Sequence, residues 1–383
     1  MTAMAVEDRR MLTDAVRAAV SDVSPRPFFS PQGCGTDDAL WKVLAGQIGL
    51  AGLLTPEDLG GAGAGVAETA AVLTELGAYL SPVPALATLG MAAPLLAVAR
   101  GNRAAEELEA RLASGLVGTV AWPHPDGTDL TPRIRVEEST SGPVLRGTAE
   151  FVLDGMAAQV VLVPAVAAAG VVLVAVETDA TGVCRAPMTA LDLTRGMARF
   201  VFDQAPVTVL TEPAPSADFL ASGLDIALTC MAAEQVGIAA RCHEQAVEWA
   251  RERIQFDRPI GSFQAIKHSL VDLLMDLELS RSALEVAVRA ADAYLESPSS
   301  QTSGALRTAA SAAKAMCGDA ASRVTDETLH IFGGIGFTWE HDAHLYFRRA
   351  KALDLLLGAP AEHRRRLAAS LGVGTPPRRS AAS

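Results

Sequence analysis

The rhythm of hydrophobic positions changes twice along the chain. From residue 1 to about 116, Ala-rich runs place apolar residues at helical intervals. Pro/Gly punctuation splits them at Ser24-Pro-Arg-Pro27, Thr55-Pro-Glu-Asp-Leu-Gly-Gly61 and Ser81-Pro-Val-Pro84. From about 117 to 212, short Val-rich runs alternate with turn residues: Gly115–Trp122, Val144–Gly147, Val160–Pro164, Gly170–Val176 and Ala198–Phe202. This predicts a β-domain, sandwich or barrel. From about 213 the helical period returns and lasts to 372. Long helices are predicted over Leu224–Gln255, Gln264–Leu295 and Ala305 to about Ile331, the second carrying Ile266, Leu270, Leu273, Leu274, Leu277 and Leu284 on one face. Helices of that length joined by short turns predict a four-helix bundle. The pattern is α+β in three segments, 1–116, 117–212 and 213–372, followed by a polar tail at 373–383 expected to be disordered.

With 383 residues, half of them hydrophobic, the chain can bury a large core. Its net charge of −12 argues against a nucleic-acid or membrane-surface partner. No membrane span and no signal peptide are read, so a cytoplasmic location is expected. Cys34, Cys184, Cys230, Cys242 and Cys317 are scattered without ligand spacing, which predicts reduced core thiols and no metal site.

The candidate chemistry sits in two stretches. Arg253-Ile-Gln-Phe-Asp-Arg-Pro-Ile-Gly-Ser-Phe-Gln264 leaves one predicted helix, turns at Pro259 and Gly261, and enters the next. It places a guanidinium (Arg253), an aromatic ring (Phe256) and an amide (Gln264) around one surface, a set that can grip a pyrophosphate beside a flat ring. Arg251 and Arg253 could also be ordinary solvated helix charges. Leu329-His-Ile-Phe-Gly-Gly-Ile-Gly-Phe337 ends a helix on Gly333 and Gly334, which let a ligand approach the backbone closely. Both stretches, with Gly49–Gly61, closely resemble the acyl-CoA dehydrogenase family. The resemblance implies an N-terminal helical domain, a middle β-domain and a C-terminal four-helix bundle. It also implies FAD as cofactor, an acyl-CoA substrate oxidised between Cα and Cβ, and a tetramer in which 253–264 holds the adenylate half of a neighbour's FAD. His330 stands where the family has glutamine in the glycine-rich segment; an imidazole can still donate a hydrogen bond.

The resemblance also marks what is missing. The family reaction needs a carboxylate base at the substrate α-carbon and donors to the thioester carbonyl. After Arg348-Arg-Ala-Lys351 the family's Glu position reads Leu357, and the flavin-holding Thr reads Ala359. The alternative family Glu position reads Ala227, with Asp225 on another helix face. The family's Thr-Glu-Pro-x-Ala-Gly-Ser-Asp loop reads Ala121-Trp-Pro-His-Pro-Asp-Gly-Thr-Asp129, and Lys-x-Trp-Ile-Thr-Asn-Gly reads Ala149-Glu-Phe-Val-Leu-Asp-Gly155, so a flavin-side Thr becomes Leu153. Glu234, two turns beyond Ala227, is the remaining candidate base: burial in an apolar stretch would raise its pKa, or it pairs with an Arg as a packing residue. Glu362 reads as a solvated helix charge, and Trp339, His341 and His344 as bundle-interface residues. The erosion is one-sided, and two arrangements follow: a homotetramer with a relocated base, or a heterotetramer with a homologous subunit, as among steroid side-chain enzymes of the family. A flavin-free acyl-CoA-binding or scaffold protein of the same fold is the third reading.

Overall fold

A computed structural model describes residues 6–30, 33–99, 102–127, 129–140, 142–214 and 218–373. Thr128 and, but for Val373, the expected tail lie outside them. The N-terminal segment holds α1 (Val6–Val20), a short hairpin of β1 (Phe29–Ser30) and β2 (Gly33–Cys34), α2 (Asp38–Lys42), α3 (Val66–Ala78), α4 (Ala85–Ala87), α5 (Ala93–Val98) and α6 (Arg103–Ala113). Asp37 caps α2 by accepting from the Leu40 N–H, and Asn102 caps α6 by accepting from Ala104. α3 starts under two carboxylates: Glu68 takes the Gly65 N–H at 2.8 Å, and Asp292, from a later helix, takes the Val66 N–H at 2.6 Å.

The middle segment folds into one eight-stranded sheet of β3 (Gly118–Val120), β4 (Arg135–Ser139), β5 (Gly142–Leu153), β6 (Val160–Ala167), β7 (Gly170–Glu177), β8 (Val183–Met188), β9 (Met197–Pro206) and β10 (Thr208–Val209). The order is β10-β7-β6-β4-β5-β9-β8, with β3 added parallel to β6. Val161, Val163, Val174, Phe200 and Phe202 pack one face of the sheet upon itself, while Leu153, Val160, Leu162 and Leu173 join the helical core. Burial on both faces is why β6 reads as an unbroken apolar run. β4 and β8 escaped the sequence reading: their residues are mostly exposed, so no apolar alternation announces them.

The third segment is built on α7 (Asp218–Glu252), the hairpin β11 (Ile254–Gln255) and β12 (Arg258–Pro259), α8 (Gln264–Glu296) and α9 (Ser300–Phe332). The fourth side of the bundle is divided between α10 (Ala343–Leu355) and α11 (Pro360–Ser370), broken at the loop before Pro360. α7 is long and apolar enough to cross a membrane by length and composition alone, but 94% of its apolar window is buried inside the bundle. α3 crosses it so tightly that a Cβ on Gly237 would sit 1.9 Å from the Thr74 carbonyl oxygen. Tyr346 ties α10 to the N-terminal segment by donating to the Ala78 carbonyl at 2.8 Å. Cys230, Cys242 and Cys317 are core thiols as expected; Cys184, on β8, is exposed, which corrects that expectation.

Candidate functional site

α7, α8 and α9 alternate in direction, so the ends of α7 and α9 meet at the start of α8. Both sequence motifs therefore gather at one end of the bundle, and Trp249 joins them. Its indole meets the Phe332 ring edge-on at 5.5 Å and lies 5.8 Å beneath the Arg253 guanidinium. Among the described residues that guanidinium has no ion-pair partner, and Arg253 is exposed. Phe256 tips the β11–β12 turn at φ 52°; its ring meets Phe263 edge-on at 6.1 Å and, at 86% exposed, still offers most of its surface to a ligand or another chain. Gln264 opens α8, and Phe263 before it supplies no side-chain cap, leaving the positive end of the helix dipole uncovered. The Gln264 amide is held 2.8 Å from His268 Nε2. His330 is exposed in the last turn of α9, and a Cβ on Gly333 or Gly334 would meet nothing within 4 Å. A free cation, an exposed ring, an amide and an open glycine cradle fit an anionic, partly aromatic group such as a flavin adenine dinucleotide. The sequence reading missed Arg258, stacked 4.1 Å over the Phe263 ring, and His268; their signal was position inside the motif and one turn beyond it.

The other half of the expected site is closed. Leu357, at the expected base position, is 1% exposed and part of the core. Its N–H donates to the Pro125 carbonyl at 2.8 Å, and its carbonyl accepts from His363 Nε2 at 2.9 Å. Gly127 presses so closely on the Leu357 backbone that a Cβ there would lie 2.9 Å from its oxygen. The loop expected to line flavin and substrate thus touches the loop expected to carry the base. Beside them an apolar slot of about 340 Å³ lies between Phe151, Met188, Leu191 and Met197 of the β-domain and Leu355 and Leu356. Leu153 is buried, and neither it nor Ala359 offers a side-chain donor for the polar edge of a flavin ring. On this side the residues do not fit the cofactor.

Beneath the Leu357 loop, buried Lys314 donates to the Leu353 carbonyl at 2.8 Å and the Gly358 carbonyl at 3.3 Å, acting as a charged cap for α10. Burial lowers its pKa to about 8. Burial likewise lowers His363 to about 4. Glu362 accepts the Ala359 N–H at 2.9 Å and so caps α11, a correction to its reading as a merely solvated charge. Asp225 is buried and paired with Arg366 at 2.6 Å. Ala227 is wholly buried in the core. Trp339 is exposed, against T-shaped His344.

Glu234 is 2% exposed. Arg195 reaches it at 2.9 Å and Arg349 at 2.5 Å, and all three are buried. Burial raises its pKa, but the two guanidiniums outweigh burial and the net shift is downward. Of the two expectations for Glu234, the arginine-paired packing residue is the one observed, with two arginines, one from the β-domain and one from α10, converging on the carboxylate. A group held ionised between two cations is a poor proton acceptor.

The family model "Acyl-CoA dehydrogenase, C-terminal domain" matches residues 218–372, and "Acyl-CoA dehydrogenase, N-terminal domain" matches 6–115. The chain belongs to the acyl-CoA dehydrogenase family. As such it falls among oxidoreductases acting on CH–CH bonds. It is 34% identical over 368 residues to acyl-CoA dehydrogenase IpdE2 of Mycolicibacterium smegmatis, covering 95% of this chain and 99% of that one. Among solved structures it resembles the ChsE4–ChsE5 complex of Mycobacterium tuberculosis, with 28% identity, a TM-score of 0.82, and coverage of 98% and 100%. It also resembles the Tcur3481–Tcur3483 steroid acyl-CoA dehydrogenase, with 27% identity, a TM-score of 0.81, and coverage of 96% and 98%. The three-part fold agrees with the butyryl-CoA dehydrogenase of Megasphaera elsdenii at a TM-score of 0.85 and 23% identity.

Proposed function

We propose that this chain is the base-lacking subunit of a heteromeric acyl-CoA dehydrogenase. It holds FAD for a homologous neighbour through Arg253, Phe256, Gln264, His330, Gly333 and Gly334. The observation that carries this reading is the contrast between the two halves. The surface at 253–264 and 333–334 stands open, while Leu357 is buried and its backbone is bonded to Pro125.

The flavin, when bound, supplies the hydride acceptor. Arg253 and the free start of α8 would neutralise the pyrophosphate, and Phe256 would cover a face of the ring system. The α-proton must go to a carboxylate of the partner chain, because Leu357 and Ala227 have no acceptor and Glu234 is sequestered. Two features support a homologous partner. α8 carries exposed Val271, Met275, Leu279 and Val286 along one side, an apolar stripe suited to another helical subunit. The ChsE4–ChsE5 relative is itself a complex of two chains. The steroid relative makes a CoA thioester of a steroid acid the first substrate class to try.

Co-expression with homologues encoded nearby, followed by the flavin-to-chain ratio and turnover, tests the reading. The expected result is a colourless chain alone and a yellow, active complex with fewer flavins than subunits. A homotetramer with one FAD per subunit and ordinary turnover would refute it. A complex that stays colourless would favour the flavin-free scaffold.

A further inference from the structure

Where the sheet meets the bundle, three carboxylates lie around two guanidiniums. Arg349 of α10 serves Glu234 of α7 and Asp192, and Arg195 serves Glu234. Asp154, in the turn after β5, is left over. It is 5% exposed, and its Oδ2 has no hydrogen-bond partner. Arg195 Nη1, also buried, has none either. Asp154 stands in the wall of a pocket of about 130 Å³ with Gly35, Thr36, Met156, Ala157 and Gly196, a volume sufficient for a few waters.

The groups around Asp154 come from every neighbouring element. Arg195, Arg349 and Glu234 act on it directly. Asp192 lies behind Arg349. Arg185 of β8 donates to the carbonyls of Gly155, Met156 and Ala158, holding the turn from outside. Across the pocket, Asp38 accepts the Thr36 hydroxyl. The turn itself is compact: Asp154 has φ 50°, donates its N–H to the Gly196 carbonyl at 2.8 Å, and accepts from the N–H groups of Ala157 and Ala158. The backbone of Gly196 gives the ionised carboxylate one donor, but Oδ2 has none, so most of its desolvation goes uncompensated.

We propose that Asp154 is a proton-operated latch between the β-domain and the bundle. Protonated, it leaves both arginines to Glu234 and Asp192, and the turn 154–158 stays seated. Ionised, it competes with Glu234 for Arg195, and the turn loosens towards the pocket. This inference is independent of the subunit assignment. Burial, opposed by Arg195 and Arg349, lifts Asp154 to about 6. The folded chain therefore holds the proton more tightly than the unfolded one. The resulting stability is whole below the ordinary Asp range, near pH 4, and is lost as pH rises to about 6, by up to roughly a hundredfold in the closed-to-open ratio.

Asp154→Asn, the isostere of the protonated acid, tests this in the full chain. The readout is amide hydrogen exchange of 154–158 and 192–196, corrected for intrinsic rates, at about pH 5 and about pH 8. The wild type should open at least about tenfold more at the higher pH, and the variant should not respond. An equal pH response in both would overturn the latch. If the variant does not fold, infrared spectroscopy of the wild type decides: a protonated-carboxyl stretch at about pH 5 that titrates away near 6 supports the proposal, and its absence overturns it.

Discussion

Glu234 shows how little a residue's chemistry follows from its sequence neighbours. Its apolar surroundings predicted burial correctly, yet burial alone would raise the pKa and two arginines lower it. Glu234→Gln leaves Arg195 and Arg349 facing an amide, and should cost about 3–5 kcal/mol in chemical denaturation. A relocated base would behave otherwise, with turnover lost and stability kept. His363 gives a pH test with a definite sign. Its folded pKa of about 4 lies below the ordinary value near 6.5, so the unfolded chain binds the extra proton between them and stability falls as pH drops through that window. His363→Gln should shrink this acid loss by up to about 3 kcal/mol, read as the wild-type-minus-variant difference across the pH series.

At the scale of elements, the long helices were legible because few breakers interrupt their period. The expected Leu224–Gln255, Gln264–Leu295 and Ala305–Ile331 are observed as Asp218–Glu252, Gln264–Glu296 and Ser300–Phe332. β6 and β7 were legible as Val-rich runs. The second stripe of α8 was not. Val271, Met275, Leu279 and Val286 share the helical period with the buried residues, and periodicity cannot say which apolar face meets its own chain. Met275→Glu, at a 58% exposed position, should leave the melting temperature nearly unchanged yet abolish co-purification with a homologous subunit. The crossing of α3 and α7 is the opposite case. Gly237→Ala forces a Cβ onto the Thr74 carbonyl and should destabilise the chain by more than about 2 kcal/mol in urea melts.

Across the whole molecule, what matters is which surfaces are open. Placing a carboxylate at the expected base position alone should not create catalysis. Leu357→Glu buries a carboxylate in a core position whose backbone is bonded to Pro125 and His363. It is expected to cost several kcal/mol and give no turnover in a single-chain assay. Arg253→Ala, at an exposed site, should instead leave stability intact and lower the flavin content of the complex, measured by absorbance per chain.

The sequence by itself determined the three-part order of elements and the family. These are properties of local period and residue identity, which need no knowledge of contacts. Only the tertiary structure decided that the 253–264 and 333–334 motifs meet across Trp249, that the 121–129 and 355–359 loops touch, and that Glu234 pairs with two arginines while Asp154 lies near them unpaired at Oδ2. Each of those facts depends on residues tens to hundreds of positions apart being packed together. Burial and charge pairing, which set pKa and accessibility, exist only after that packing.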